Sequence, residues 1–135
     1  MLLKTFVTLL CGVGLYVSVF MLVKTVRAGR GQLSEPSVVQ TARAHVFGGV
    51  PNAAIGGIYY MALALAVWTA HGAWAASIAC LATLLAAVTS IFLGYSLLYV
   101  TRRACPYCWT GHVVNWLLAA LCLWGAARGL LFSST

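Results

Sequence analysis

Two cysteines separated by two residues, Cys105 and Cys108, stand at the head of an apolar run near the end of the chain. A C-x-x-C pair can be a dithiol/disulfide redox couple, half of a metal site, or a coincidence among five cysteines. A structural zinc site needs four ligands. The nearest further ligands, His45 and His112, could complete one only if a loop folded over. We therefore predict no metal site and favour redox chemistry.

The position of the pair supports this choice. Pro106 suits the first turn of a helix, where a missing N–H has no cost, so a helix is predicted to begin at the motif. Its free N–H groups, with Arg102 and Arg103 nearby, would favour a Cys105 thiolate. Because such a thiol exchanges faster, Cys105 is predicted to exchange with a protein thiol. Cys108, one turn deeper, would face an electron acceptor within the membrane.

The remaining cysteines, Cys11, Cys80 and Cys122, fall inside apolar runs. We interpret them as small buried hydrophobic residues that stay reduced. Attachment of c-type haem is excluded, because Cys108 is followed by Trp109 and not by histidine. No flavin motif is visible, so a lipid-soluble quinone is the expected acceptor for a dithiol at a membrane boundary.

The composition predicts a membrane protein. The chain is 63% hydrophobic and only 7% charged, whereas soluble domains carry about 25% charged residues. The net charge is +7, with Glu35 as the single acid. Because the cations flank apolar runs, the expected partner is the lipid bilayer with its anionic headgroups, and not nucleic acid.

Four apolar segments are long enough to span a bilayer, which needs about 20 residues in a helix. The predicted spans are about 5–23, 53–70, 73–100 and 106–127, within one domain over residues 1–135. The first is interpreted as a retained helix, because it lacks a convincing cleavage site. Small residues in the second and third favour close packing. The predicted fold is an all-α, integral membrane four-helix bundle with one long loop between helices 1 and 2.

That loop, residues 24–52, contains the segment "SVVQTARAHVFGGV", interpreted as a linker or a short helix on the membrane surface. Four spans place the loop and the C-x-x-C on one side and both termini on the other. The loop side holds six cations: Lys24, Arg27, Arg30, Arg43, Arg102 and Arg103. The opposite side holds Lys4 and Arg128. The positive-inside rule favours a cytoplasmic C-x-x-C face, with a periplasmic or extracellular face as the alternative.

The stretch "CPYCWTGHVVNWLL" resembles the redox motif of the vitamin K epoxide reductase (VKOR) family. The stretch "GGVPNAAIGGIYY" is similar to the start of that family's second span. The order of four spans, the single long loop and the late C-x-x-C also match over most of the chain. This resemblance implies a bundle around a quinone, such as menaquinone or ubiquinone. It makes Cys105 the exchanging cysteine and Cys108 the one that reacts with the quinone.

The resemblance also implies quinone-binding residues. Asn52 matches an asparagine that hydrogen-bonds a quinone carbonyl, and its alternative role is an N-cap. His112 lies where some members have a tyrosine near the quinone, and its alternative role is a histidine satisfied within the bundle. Four aromatic residues are predicted as pocket walls or as interfacial anchors: Tyr59, Tyr60, Tyr107 and Trp109.

The sequence departs from the family pattern in its loop. Many members carry two loop cysteines that pass electrons to the C-x-x-C, but this loop has none. The positions of the second loop cysteine and a nearby serine correspond to about Pro36 and Ala42. The chain is therefore interpreted as a bacterial or archaeal homologue without the internal relay. A cytoplasmic redox face would be a second departure, suited to organisms with intracellular disulfides.

We predict a membrane thiol–quinone oxidoreductase. It would reoxidise a thioredoxin-like dithiol protein through the C-x-x-C and pass the electrons to a quinone, supporting disulfide formation. Two alternatives stay open. The main output could be quinone or quinone-epoxide reduction, or the chain could be a non-catalytic membrane subunit whose C-x-x-C is structural or binds a metal.

Overall fold

The computed structural model describes residues 1–46 and 49–132 and consists of four long helices with short connections, apart from one loop. The helices are α1 (Leu2–Gly29), α2 (Asn52–Thr69), α3 (Ala73–Tyr95) and α4 (Pro106–Ala127). A π-helical segment, Ser96–Thr101, continues α3. All four helices are long and apolar enough to cross a membrane. The predicted all-α membrane bundle is confirmed.

The first helix extends well beyond its apolar run. It continues past the predicted limit of residue 23 to Gly29, because Lys24 and Arg27 are good helix formers and neither glycine nor proline intervenes. Beyond it, Gly31 has a φ of +67° and donates its N–H to the Ala28 carbonyl. The additional turns carry cationic side chains towards the loop end of the bundle.

The loop is built from two 3₁₀ turns, Val38–Gln40 and Ala42–Ala44. Thr41 between them is extended, and its hydroxyl donates to the Val38 carbonyl at 2.7 Å. A local side-chain bond of this kind competes with helix formation. The described part of residues 37–50 therefore forms no regular surface helix. Phe47 and Gly48 lie outside the described residues.

The packing of the helices is uneven. Helix α1 packs on α2 and α4, and α3 packs on α4, whereas α2 and α3 barely contact each other although they are consecutive. The turn predicted at His71–Gly72 does connect them, and Gly72 has a φ of +91°. The bundle therefore has a loosely packed seam between α2 and α3.

At the end of the bundle that holds the termini, an apolar core fills the interior. Val7, Leu63, Val67 and Leu118 are almost fully buried there. The chain then folds back, so that Leu131 and Phe132 are also buried, and the Phe132 carbonyl accepts the Gly72 N–H at 2.8 Å. These contacts pack the interior at this end of the bundle.

Large apolar side chains cover much of the helix surface. Ile58, Leu65 and Val88 are each more than 60% exposed. A soluble protein rarely exposes contiguous apolar surface on this scale. With lipid as the solvent this surface is satisfied, and the protein is a multi-pass membrane protein.

Candidate redox site

Cys105 and Cys108 form a disulfide at the start of α4, with their Cα atoms 5.3 Å apart. Cys105 is the N-cap residue and Pro106 occupies the first turn. The Cys105 sulfur accepts the Cys108 N–H, with a distance of 3.3 Å between nitrogen and sulfur. The sequence prediction of a helix that begins at the motif is confirmed. A helix N-terminal N–H aimed at Cys105 stabilises negative charge on this sulfur when the pair is reduced.

The loop lies directly against this motif. The Arg103 guanidinium donates a 2.7 Å hydrogen bond to the carbonyl of Pro36. Pro36 is the approximate position at which the family pattern places a loop cysteine. The loop, which contains no cysteine, therefore lies beside the redox pair.

A cavity of about 480 Å³ lies at the loop end. Its walls come from α1, α2, α4 and α3 together with the π-helical segment that continues α3. Residues of the loop also contribute to its lining. The volume is in the range of small-molecule binding sites. Cys108 is part of the lining, so the disulfide borders the cavity.

The structure brings most of the predicted site residues to this cavity. Its lining includes Cys108 together with Asn52, Tyr59, Tyr60, Tyr107 and His112. Trp109 does not belong to the lining. It follows Cys108 directly, and successive helical residues point about 100° apart. The Trp109 ring instead packs edge-on against the His112 imidazole, with ring centroids 6.0 Å apart.

Three buried polar atoms in the cavity wall have no hydrogen-bond partner among residues 1–46 and 49–132. They are Tyr59 Oη, Ser96 Oγ and His112 Nε2. A buried polar group without a partner costs about 1–3 kcal/mol. Three such atoms in one mostly apolar cavity suit a ligand with an apolar body and oxygen atoms. A quinone fits this description.

Asn52 lines the cavity and is hydrogen-bonded to the loop. Its amide nitrogen donates to the Arg43 carbonyl at 2.8 Å, which leaves the second amide hydrogen for a ligand. The Arg43 guanidinium in turn lies over the Phe92 ring of α3, 5.2 Å from the centroid. The N-cap of α2 is Pro51, so the alternative role of Asn52 as an N-cap is not observed.

A chain of hydrogen bonds crosses the bundle at the cavity wall. Tyr60 donates its hydroxyl to Asn115 Oδ1 at 2.8 Å, and Asn115 Nδ2 donates to Ser90 Oγ at 2.7 Å. These bonds join α2, α4 and α3. Asn115 was not predicted as a site residue, although it lies seven residues after Cys108 and such spacing places both on one helix face. No comparable spacing in the sequence indicates that Ser90 or Ser96 belongs to the site.

The other cysteines, Cys11, Cys80 and Cys122, are free thiols. The Cys80 thiol donates to the Cys122 carbonyl at 3.6 Å. Within the described part of the chain, no three His, Cys, Asp or Glu side chains gather in a way that could hold a metal ion. The metal-binding alternative for the C-x-x-C therefore gains no support from the geometry.

Membrane-spanning helices, a disulfide at a helix N-terminus and an adjoining apolar cavity together define a membrane redox enzyme. A family model described as "Vitamin K epoxide reductase family" matches residues 5–123. The chain belongs to the vitamin K epoxide reductase family, a quinone-linked family of oxidoreductases, as the sequence resemblance predicted. A search of curated proteins gave no significant match.

Proposed function

We propose that this protein is a thiol–quinone oxidoreductase that oxidises the dithiol of a thioredoxin-like protein. One observation carries the proposal: Cys108 lines an apolar cavity whose wall also presents three unpartnered polar atoms. A quinone matches this wall, because it combines an apolar ring with two hydrogen-bonding carbonyl oxygens. The Tyr59 hydroxyl, His112 Nε2 and the remaining Asn52 N–H would bind such oxygens.

The protein chemistry starts from the disulfide. A partner thiolate attacks Cys105 Sγ, the Cys105–Cys108 bond breaks, and Cys108 leaves as a thiolate. The second partner thiol, as a thiolate, then attacks the partner sulfur of the mixed disulfide. The partner is thereby oxidised, and Cys105 is released as a thiolate stabilised by the Cys108 N–H.

A bound quinone supplies the acceptor for two electrons and two protons, which returns the pair to the disulfide. The protein holds Cys108 in the cavity wall, and His112 lies one turn further along α4. In this reaction His112 Nε2 donates or accepts a hydrogen bond and can hold a proton at that atom. The apolar lining keeps bulk water from the reacting sulfur.

The partner must reach Cys105 without loop cysteines as intermediaries. Cys105 itself is only 7% exposed, but its neighbours Arg103, Ala104 and Pro106 are exposed. We infer that the partner docks over these residues and displaces the loop locally at Pro36. Thiols of the partner then take the place of the missing relay.

The direct test is an assay with the purified protein in detergent. With a soluble dithiol and a quinone, the protein should oxidise the dithiol, and omission of the quinone should stop the reaction after one equivalent. A protein that shows no quinone-dependent turnover with any dithiol would contradict the proposal and favour the non-catalytic subunit.

Removal of either proposed hydrogen-bonding side chain should weaken quinone use. Asn52→Ala and His112→Ala each delete one bond worth about 0.5–1.5 kcal/mol, so a several-fold rise in the quinone KM is expected for each. Reduction of the disulfide by dithiothreitol without quinone should not change. Thr110→Ala is a suitable control on α4, because Thr110 is exposed and bonds only to the Pro106 carbonyl. Unchanged quinone KM values in both variants would remove these residues from the site.

We further propose that the redox face lies in the cytoplasm. The support is the excess of six cations over two on the loop side. The test uses Ser34→Cys in a background in which all five native cysteines are replaced by alanine. A membrane-impermeant maleimide should fail to label this cysteine in intact cells and label it after lysis. Ready labelling from outside, with a C-terminal reporter active in the cytoplasm, would establish the opposite orientation.

A further inference from the structure

Ser96 is a buried hydroxyl that the proposed reaction does not yet use. Its side chain is 2% exposed and lines the cavity. Within residues 1–46 and 49–132 its Oγ atom has no hydrogen-bond partner. Ser96 is also the first residue of the π-helical segment, and π-helical turns are rare and frequent at functional sites.

Exposed hydroxyls of α3 bond to carbonyls of their own helix. Ser77 donates to the Ala73 carbonyl at 2.9 Å, and Thr89 donates to the Leu85 carbonyl at 2.8 Å. At Ser96 the helix changes from α to π geometry, and its backbone N–H is shared between the carbonyls of Phe92 and Leu93. Among the described residues the hydroxyl itself makes no such bond, and Ser96 lines the cavity.

His112 packs against the part of α3 that precedes Ser96. Gly94, two residues earlier, faces His112: a Cβ atom at Gly94 would lie 3.8 Å from His112 Cδ2. In the proposed function His112 and Asn52 bind the ring carbonyls, from α4 and α2. Ser96 adds a hydroxyl from a third wall, and a hydroxyl can both donate and accept. An oxygen substituent on the ring, beyond the two carbonyls, would use it.

We propose that the Ser96 hydroxyl binds such a substituent, so that the cavity selects quinones whose ring carries alkoxy or hydroxy groups. The proposal rests on the proposed function of the cavity and gives its substrate class. It involves no covalent step. Ser96 is then a specificity-determining residue, and its effect is a difference between two quinones.

The test measures equilibrium binding of two probes by quenching of tryptophan fluorescence. One probe is a dimethoxy-methyl-benzoquinone, and the other is a methyl-naphthoquinone without alkoxy groups. The wild-type protein should bind the dimethoxy probe preferentially. Ser96→Ala should reduce the ratio of the two affinities about threefold to tenfold, the range expected for one hydrogen bond. Ser96→Thr keeps a hydroxyl and should retain most of the preference.

Ser77→Ala provides the matched control, because it removes a serine hydroxyl from the same helix outside the cavity, and its ratio should equal that of the wild type. Thermal unfolding in detergent verifies that the Ser96 variants are folded. An equal change for both probes in Ser96→Ala, or no change, would overturn the assignment. Binding is measured separately from turnover. A protein that binds the dimethoxy probe through Ser96 but does not oxidise dithiol would refute the proposed function and leave this inference intact.

Discussion

Replacement of Cys105 or Cys108 by serine is expected to reduce quinone-dependent dithiol oxidation by on the order of a thousandfold or more, as for other essential nucleophiles. The two variants should fail at different steps. Cys108→Ser leaves the Cys105 thiolate able to attack the disulfide of an oxidised partner, which forms a mixed disulfide and releases the partner's second thiolate, because the sulfur at the helix N-terminus is retained. Cys105→Ser should form little of this species. Mass spectrometry after alkylation measures both outcomes.

The remaining cysteines supply the controls for this experiment. Cys11, Cys80 and Cys122 are free, and Cys80→Ala should keep nearly full activity because Cys80 does not belong to the cavity lining. Alkylation after quinone treatment should find these three thiols reduced and the Cys105–Cys108 pair oxidised. Full dithiol oxidation by both serine variants would show that the C-x-x-C is not the redox centre.

Gly14→Ala is expected to destabilise the bundle by about 1–3 kcal/mol, the usual effect of overpacking a tight contact. A Cβ atom at Gly14 would lie 2.5 Å from the Tyr60 ring. Because this ring is buried and its hydroxyl bonds Asn115, it cannot move without breaking the chain of hydrogen bonds at the cavity. Quinone affinity should therefore fall together with stability.

Gly12→Ala is the matched control on the same helix. No atom lies within 4 Å of a Cβ at Gly12, and alanine is a better helix former than glycine by about 1 kcal/mol. This variant should be as stable as the wild type or more so in thermal unfolding in detergent. Equal stability of the Gly14 and Gly12 variants would contradict the close contact between α1 and α2.

The helices and the redox pair were predictable because their signals are local. Apolar runs define the four spans without knowledge of the fold, and Pro106 between two cysteines marks a helix start in any context. The extension of α1 to Gly29 was missed, because the apolar run ends before Lys24 whereas the residues that follow still favour a helix. The π-helical segment was missed as well, since an α-to-π change inside an apolar run leaves no pattern.

Side-chain direction and packing explain why the predicted site residues differ from the cavity lining in the structure. Trp109 was predicted as a pocket wall or an interfacial anchor, and in the structure it lies outside the cavity lining. Ser96 was overlooked because a serine in an apolar run is common, and only the packing of α3 against α4 places it in the cavity. The seam between α2 and α3 depends on tertiary contacts alone. Binding by Asn52, Tyr59 and His112 stays a prediction.

The disulfide and the cavity share the loop end of the bundle. This arrangement determines whether turnover moves charge across the membrane. In the proposed reaction, electrons that enter at Cys105 leave through Cys108, which lines the cavity. They do not traverse the apolar half of the bundle around Val67 and Leu118. In the proposed reaction, protons released by the partner and those taken up in the cavity belong to the same side of the membrane. Such an enzyme performs no work against the transmembrane voltage, so depolarised and energised membranes should support the same rate.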